Sequence, residues 1–424
     1  MDIIPHATRR GVRAPPSARR DTFADRRRAV AEVRWRGPTR LYDRAMISSA
    51  VRMFIAAAIA CGCVRASSFA APRGNDLGGC SLFPPDNIWN VPVDTLPVDR
   101  NSAAYIQTIG PSIGLHPDFG TFYLGDPIGI PFVVVPADQP LVDISFKYDD
   151  ESDPGPYPIP PDPPIEGGPR SDGDRHILIV QLGEGGAPCT LWEIYAAYPT
   201  RDGAWDAGSG AVWNLGDHAL RPDTWTSADA AGLPILPGLV RFDEVMSGEI
   251  NHALRFTCSL TRDAHVWPAR HDASDSTDPG RPPMGQRFRL KASYDISGFS
   301  PPVRTILQAM KTYGIILADN GSNWYVTGTH DLRWDDDVLS QIGQVKGNDF
   351  EAVDVSSLQV DPDSGQAATR APRTGDLDGD GDVDGGDLGI LLGAWGAVAS
   401  SPADLDRDGD VDGADLGILL GGWG

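Results

Sequence analysis

The feature that most constrains this chain is a cluster of aspartates near its C-terminal end, which occurs twice. The stretch DLDGDGDVDGGDLGILLGAWG is followed by DLDRDGDVDGADLGILLGGWG, and the second copy is offset from the first by 28 residues. Carboxylates placed so closely repel one another, so the segment is either neutralised by a cation or solvated and disordered. The register of the two copies distinguishes these outcomes.

In each copy, aspartates occupy positions 1, 3, 5, 7, 9 and 12 of a loop, and glycine occupies position 6. A twelve-residue calcium loop draws its oxygen ligands from these positions and turns sharply at the glycine, although its position 12 is usually glutamate. A short apolar stretch, Leu-Gly-Ile-Leu-Leu, follows each loop and predicts one helix per copy. We therefore predict two bound Ca²⁺ ions. The metal-ligating residues are Asp376, Asp378, Asp380, Asp382, Asp384, Asp387, Asp404, Asp406, Asp408, Asp410, Asp412 and Asp415.

This duplicated half of an EF-hand resembles the type I dockerin module over residues 375–424. The resemblance implies a small all-α calcium-binding domain that attaches its protein to a cohesin-like scaffold or cell-surface protein. In that family, loop positions 10 and 11 help to select the cohesin, but here they are glycine or alanine and offer a partner few contacts. Trp395 and Trp423 end the two repeats, and we expect both in the core of the module because so small a domain needs its large apolar side chains.

The charge distribution excludes one class of partner. The net charge is -22, and the last fifty residues alone contain twelve Asp against one Arg. Residues 1–45 have the opposite character, with twelve Arg against five acids, which leaves an acidic main body. Such a body repels a phosphate backbone, so nucleic acid is not expected as a partner.

The segment after the basic stretch predicts export. Residues 46–70 contain Arg52, an apolar run over 53–64 and then small residues that suit signal peptidase. The run is too short to anchor in a bilayer, so no membrane span is expected after cleavage. We interpret 46–70 as a signal peptide that starts at Met46 or Met53. Residues 1–45 are then either a mis-assigned start or a disordered basic arm, and a transit segment is the alternative.

Export places the remaining cysteines in an oxidising compartment. Cleavage after Ala70 leaves Cys80, Cys189 and Cys258. Two of the three can pair, and the expected pair is Cys189 with Cys258 because each lies in a strand-like stretch. The sequence does not determine the pairing.

The sequence of the main body, residues 71–355, predicts a mainly β fold with a sandwich or jelly-roll-like architecture and one or two helices. Its apolar runs are short and bounded by turn residues; they cover 130–136, 141–149, 176–182, 189–198, 252–260, 287–296 and 323–328. One helix is predicted from a cap at Ser300 to Gly314, and a shorter one over 335–345.

Two segments have the composition of connectors. Residues 149–174 contain eight prolines, which exclude a central strand or a helix and predict an extended surface insertion. Residues 356–374 are polar and poorly patterned, and they predict a linker to the C-terminal module.

The body contains no recognisable nucleophile elbow, zincin motif or phosphate loop. A dockerin-like module normally accompanies enzymes of polysaccharide catabolism, so the resemblance implies a glycoside hydrolase. Six aromatic residues within 34 positions also suit sugar rings, although most should be core: Trp192, Tyr195, Tyr198, Trp205, Trp213 and Trp225. The alternative is a non-catalytic carbohydrate-binding or cell-surface structural protein with the same module.

Glycoside hydrolysis requires two carboxyl groups, one of which keeps a proton. The candidates are acids next to apolar runs, where burial would raise a pKa, together with one histidine. Each of them is also compatible with a salt bridge or a structural hydrogen bond. The candidate catalytic residues are Glu193, Asp243, Glu244, Glu249, His252 and Asp319.

Overall fold

The computed structural model describes residues 77–368, 374–378, 383–396, 401–406 and 408–423. The basic stretch and the signal peptide predicted over 1–70 lie outside these residues, as do the predicted calcium ligands Asp380 and Asp382.

The described residues form short strands and a few helices. The strands are β1 (His116–Asp118), β2 (Phe122–Tyr123), β3 (Asp126–Pro127), β4 (Phe132–Val135), β5 (Ile144–Phe146), β6 (Ile177–Gln181), β7 (Thr190–Tyr195), β8 (Tyr198–Pro199), β9 (Trp205–Ala207), β10 (Ser209–Asn214), β11 (Leu254–Cys258), β12 (Arg287–Leu290), β13 (Ile315–Asn320), β14 (Tyr325–Thr327) and β15 (Phe350–Ala352). The α-helices are α1 (Ser102–Ile109), α2 (Phe242–Ser247), α3 (Pro301–Thr312), α4 (Asp336–Leu339), α5 (Gly385–Gly393) and α6 (Gly413–Gly421).

The body is mainly β, as the turn-bounded apolar runs predict, and each of the seven runs contains an observed strand. The largest sheet has the order β1-β14-β11-β13-β12-β15. Its β1–β14 and β11–β13 pairs are parallel, while β14–β11 and β13–β12 are antiparallel. This mixed pairing distinguishes the sheet from the wholly antiparallel sheets of a jelly roll.

A second sheet, in the order β10-β7-β6-β4, lies between two hydrophobic cores. Leu178 and Val180 of β6 belong to the main core, whereas Ile177 and Ile179 face a second, smaller core. Burial on both faces explains why β6 is a continuous apolar run without alternation. The second core is closed by the small sheet β5-β9-β8, through residues such as Ile144 and Trp205.

The proline-rich segment differs from its prediction. It is not a surface insertion, because Tyr157, Ile159 and Ile165 are buried in the second core. Asp153 of the same segment forms an ion pair with the buried Arg221, at 2.6 Å between Nη1 and Oδ2. Proline excludes regular hydrogen-bonded structure but does not prevent burial of the side chains between the prolines. The segment is therefore a structural layer of the body.

The predicted long helix is confirmed as α3, and its buried side chains include Ile306, Leu307 and Met310. Ser300 stands at the N-cap position, but its side chain makes no capping hydrogen bond, contrary to expectation. The second predicted helix begins at α4, where the Asp335 side chain accepts a hydrogen bond from Val338 N, and continues as a 3-10 turn over Ser340–Gln344.

The predicted linker is packed against the body over 356–368. The side chain of Arg270 donates to the carbonyl oxygen of Pro362 and to Asp363, both at 2.7 Å. Leu358 and Ala367 are buried in the main core. The described part of this segment is thus an extension of the body, because long-range contacts with Arg270 and the core hold a polar sequence that has no secondary-structure pattern of its own.

The expected disulfide is wrong. Cys80 pairs with Cys189, and the two are separated by 109 residues in sequence. Cys258 is a free, buried thiol at the end of β11, where its Sγ lies 3.5 Å from the carbonyl oxygen of Leu260. The strand-like surroundings of Cys189 and Cys258 are a poor guide because the strands concerned, β7 after Cys189 and β11 ending at Cys258, belong to different sheets.

The C-terminal segment contains two short helices related by the sequence repeat. Val383 and Leu391 pack with their equivalents Val411 and Leu419 in a separate small core. Trp395 and Trp423, expected in this core, are instead 49% and 48% exposed. The smaller side chains of the helices are sufficient to fill the contact between them, which leaves both indoles at the surface.

Candidate functional site

Arg255 on β11 is the centre of a cluster of charged residues in the body. Its buried guanidinium binds Asp229 through two contacts, Nε to Oδ2 at 2.5 Å and Nη2 to Oδ1 at 2.7 Å. A third nitrogen donates to Thr327 Oγ1 on β14, at 2.7 Å. This geometry compensates the charge of both buried partners, and it raises the pKa of Arg255 further despite the cost of burial.

A second buried ion pair lies in the same cluster. His176, just before β6, places Nδ1 2.6 Å from Glu166 of the proline-rich segment and Nε2 3.0 Å from the carbonyl oxygen of Ala228. Burial alone would lower the pKa of His176, but the charge and hydrogen bond of Glu166, helped by Asp174, raise it to about 9. The imidazolium therefore donates at both nitrogens, and its charge lowers the pKa of Glu166 against the effect of burial.

Three further carboxyl groups line the cluster where it reaches the surface: Asp118, Asp174 and Asp319. Asp319 is 27% exposed, and its Oδ2 lies 3.5 Å from Arg255 Nη2. Desolvation by the surrounding protein is the main cause that raises its pKa to about 7, and the negative charges of Asp229 and Asp174 add to it. The positive charge of Arg255 opposes this shift. Desolvation, followed by the charges of Glu166 and Asp174, raises the pKa of Asp118 to about 6, although much of that residue is exposed. Acids that hold a proton near neutral pH are the groups that general acid catalysis requires.

The predicted candidate Glu193 lies beneath this cluster. It is fully buried, and its carboxyl accepts hydrogen bonds from the backbone N–H groups of Ile235 and Leu236, each at 2.9 Å. Burial raises its pKa to about 7, although both backbone donors favour the ionised form. A substrate at the surface has no access to this side chain, so its position is that of a structural brace between β7 and the loop at 235–236.

The other four candidates lie apart from the cluster, around α2. Asp243 makes a surface ion pair with Arg333, and Glu249 is exposed. Glu244 contacts Arg241 and also lies 3.2 Å from Nε2 of His252. Burial, with the nearby charge of Arg241, lowers the pKa of His252 to about 3, so the ring is neutral at physiological pH.

The sequence reasoning selected Asp319 but missed the residues that surround it. Asp118 and Arg255 come from the largest sheet, Asp174 from the proline-rich segment and His176 from the residue before β6, so no local spacing connects them. One signal was present: His176 and Arg255 are polar residues next to or within the apolar runs HILIVQL and HALRFTCSL. A charged residue in a buried strand needs a partner, and here the partners form the site.

The cluster of aromatics in the middle of the chain is mostly structural. Trp205 and Trp213 are buried, and Trp192 packs its ring edge-on against Tyr157 with 4.8 Å between ring centroids. Tyr198 is 48% exposed, but the guanidinium of Arg175 lies over its ring at 4.4 Å. These rings offer a sugar little free stacking surface.

Each aspartate loop of the C-terminal segment brings three carboxyl groups together. Oxygens of Asp376, Asp378 and Asp387 lie within 4.8 Å of one another, as do those of Asp404, Asp406 and Asp408. Ca²⁺ is bound in proteins by carboxylate and other oxygen ligands, and three carboxylates at this spacing supply part of such a set.

The residue at loop position 12 is fixed by the backbone in both copies. Asp387 Oδ1 accepts from Leu377 N at 2.6 Å, and Asp387 Oδ2 accepts from Asp384 N at 2.8 Å. Asp415 makes the same contacts with Leu405 and Asp412, at the same distances. The shorter aspartate therefore fits this position, because it also completes the capping box of the helix that follows.

The second loop carries uncompensated negative charge. Asp410 Oδ1 is buried and has no hydrogen-bond partner among the described residues. The charge of Asp408, together with burial, raises the pKa of Asp410. The donor set therefore fits a divalent cation, which would be bound by carboxylate oxygens and would neutralise them.

None of the helices in the described parts of the chain is both long and apolar enough to cross a membrane. Comparison of the chain with protein-family models, with curated proteins and with solved structures gave no match.

Proposed function

We propose that this protein is a secreted carbohydrate-active hydrolase that cleaves glycosidic bonds of a polysaccharide and carries a calcium-binding, dockerin-like attachment module. The observation that carries the catalytic part is Asp319, a partly exposed carboxyl whose pKa of about 7 lets it hold a proton next to Asp174 and Arg255. Export is supported by the Cys80–Cys189 disulfide, since such bonds persist in oxidising compartments.

The chemistry needs one acid and one base. Asp319 donates its proton to the glycosidic oxygen as the bond from that oxygen to the anomeric carbon breaks. Asp174, which is exposed and close enough to raise the pKa of Asp319, takes a proton from the water whose oxygen adds to the anomeric carbon. Arg255 holds the position of Asp319, and Asp229 in turn fixes the guanidinium of Arg255.

The test is replacement of the acid. Asp319→Asn keeps the shape of the side chain but cannot donate the proton, so release of reducing ends from a panel of polysaccharides should fall at least about 100-fold. Asp138→Asn, an exposed surface change, is the matched control and should keep full activity. Unfolding midpoints of both variants near that of the wild type would show that the fold is intact.

Wild-type activity in Asp319→Asn would exclude the proposed acid. If the wild type released reducing ends from none of the polysaccharides but bound one of them, the non-catalytic carbohydrate-binding alternative would be favoured instead.

The module over 375–424 is proposed to bind two Ca²⁺ ions and to attach the body to a cohesin-like scaffold or cell-surface protein. Calcium binding is supported by the two groups of three carboxylates and by the buried Asp410 Oδ1, which has no hydrogen-bond partner among the described residues. The half-exposed Trp395 and Trp423 give the module apolar surface that a protein partner could cover.

A further inference from the structure

The hairpin β2–β3 exposes three large apolar side chains in succession. Phe122, Tyr123 and Leu124 are 53%, 57% and 86% exposed. The ring of Phe122 contacts His330, and Leu332, two residues after His330, is 67% exposed. Single exposed apolar residues are ordinary, but a contiguous group marks a surface that binds something.

The turn of this hairpin is built with an unusual residue. Leu124 has φ of 53° and Gly125 has φ of 98°, so both central residues adopt left-handed conformations. Asparagine, aspartate or glycine normally occupies such a turn, because the left-handed conformation crowds Cβ against the carbonyl oxygen and leucine, unlike asparagine or aspartate, has no local hydrogen bond to offset this. Leu124 gains no burial in exchange for this strain, which indicates that its side chain has a role outside the folded body.

The hairpin is held firmly at its base. Thr121 N donates to Asp336 Oδ1 at 3.0 Å, and the backbone N–H of Asp331 donates to the carbonyl oxygen of Gly120 at 3.2 Å. The ring of Phe122 meets His330 edge-on, with 5.6 Å between ring centroids. An exposed apolar surface on an anchored hairpin costs little conformational entropy when a ligand binds to it.

The same hairpin adjoins the candidate site. Asp118 precedes it by four residues and pairs with Thr327, which binds Arg255. On the other side, a Cβ added at Gly168 would lie 3.8 Å from Pro127, so the hairpin also meets the segment that carries Glu166. The base of the hairpin therefore adjoins the rim of the carboxyl cluster.

We infer that Tyr123 and Leu124, at the exposed tip of the hairpin, form a platform on which a polysaccharide chain lies as it enters the carboxyl cluster; this inference rests on the proposed function. Phe122 points to the opposite face of the strand, where its ring meets His330. The flat face of the exposed Tyr123 ring suits the C–H face of a sugar ring. The hairpin carries Asp126 and no cationic residue, and Asp118 precedes it, so an anionic membrane surface is repelled. An uncharged polymer meets no such penalty.

The test uses the full chain and three insoluble polymers: cellulose, xylan and chitin. Sedimentation should show that the wild type is retained by at least one of them. Leu124→Asn should reduce its apparent affinity at least threefold and Tyr123→Ala at least tenfold. Because asparagine suits the left-handed turn, Leu124→Asn should unfold at the same temperature as the wild type or a higher one. Leu141→Asn, at another leucine that is 54% exposed, is the matched control and should bind normally.

Asp319→Asn separates the two proposals, since it should keep polymer binding while losing bond cleavage. Retention of the wild type by none of the three polymers, or unchanged retention of both hairpin variants, overturns the platform whatever the activity of Asp319→Asn. Binding to phosphatidylcholine vesicles instead, or a concentration-dependent dimer that the hairpin variants abolish, would also overturn it by assigning the surface to lipid or to a second copy of the chain.

Discussion

At the scale of single residues, the surroundings give chemically similar acids opposite behaviour within one cluster. Burial raises the pKa of Glu193 to about 7, whereas the protonated His176 lowers the pKa of Glu166 even though that carboxyl is also surrounded by protein. The difference is a charged partner at 2.6 Å in one case and two backbone N–H groups in the other. The pKa of Asp319 is also raised to about 7, but unlike Glu193 this carboxyl is partly exposed, which suits it to proton transfer.

The His176–Glu166 pair predicts a specific pH dependence of stability. The folded pKa of His176, about 9, exceeds the ordinary value of 6.5, so the pair stabilises the fold fully below 6.5 and loses this effect as the pH rises through 9. Between pH 7.5 and 9.5 the free energy of unfolding should fall by about 2 kcal/mol from this group. Urea unfolding across that interval measures the change.

Glu166→Gln is the control for this prediction, because glutamine can still accept the hydrogen bond but carries no charge. Its stability should change much less over the same interval. The pKa values of Asp118, Glu193 and Asp319 are raised, so their contribution to the free energy of unfolding is lost as the pH rises from about 4 to 7. That change lies below the interval measured here. If the free energy of unfolding fell equally steeply with pH in the wild type and in Glu166→Gln, Glu166 would not be the cause of the raised pKa of His176.

At the scale of elements, the two aspartate repeats show one local sequence performing two tasks. Asp384 and Asp412, at loop position 9, are also the N-caps of α5 and α6, and each accepts a hydrogen bond from the backbone two residues ahead. Loop and helix are thus fixed by the same side chain, and ordering of the loop by a cation should also order the first turn of the helix.

We therefore predict that calorimetric titration of the full chain with Ca²⁺ gives two ions per chain and an increase in helical circular dichroism. Asp376→Asn with Asp378→Asn should remove one ion, because two of the three oxygen groups in the first loop lose their charge. Asp404→Asn with Asp406→Asn should remove the other. Each double variant is the control for the other, and two ions in both would show that these loops are not the sites.

At the scale of the whole molecule, one covalent bond connects distant parts of the body. The Cys80–Cys189 disulfide joins the start of the described chain to the residue before β7 and closes a sequence separation of 109 residues. A cross-link over so long a loop removes much of the freedom of the unfolded chain.

Cys80→Ser should accordingly lower the free energy of unfolding by about 2–5 kcal/mol, measured by chemical denaturation under oxidising conditions. Cys189→Ser should have the same effect, and the double variant should lose no more than either single one, because both break one bond. Additive losses would contradict the pairing. Cys258 should resist alkylation in the native state, because it is buried and burial raises its pKa to about 12.

The sequence by itself determined what local patterns encode. The seven turn-bounded apolar runs each contain a strand, helix α3 lies where Pro301 and Gly314 predict it, and a short helix follows each aspartate loop. Each of these depends on residues only a few positions apart, where periodicity, turn chemistry and ligand spacing act directly.

Only the tertiary structure decided which acids share one site, that the proline-rich segment is buried, and which cysteines pair. Asp118, Glu166, Asp174, Arg255 and Asp319 lie up to 201 residues apart in the chain and meet only because one sheet and an irregular segment pack together. The pKa shifts of Asp118, Glu166, Arg255 and Asp319 follow from burial and from charges brought in by other parts of the chain. Those quantities are properties of the packed molecule and do not exist in any short stretch of the chain.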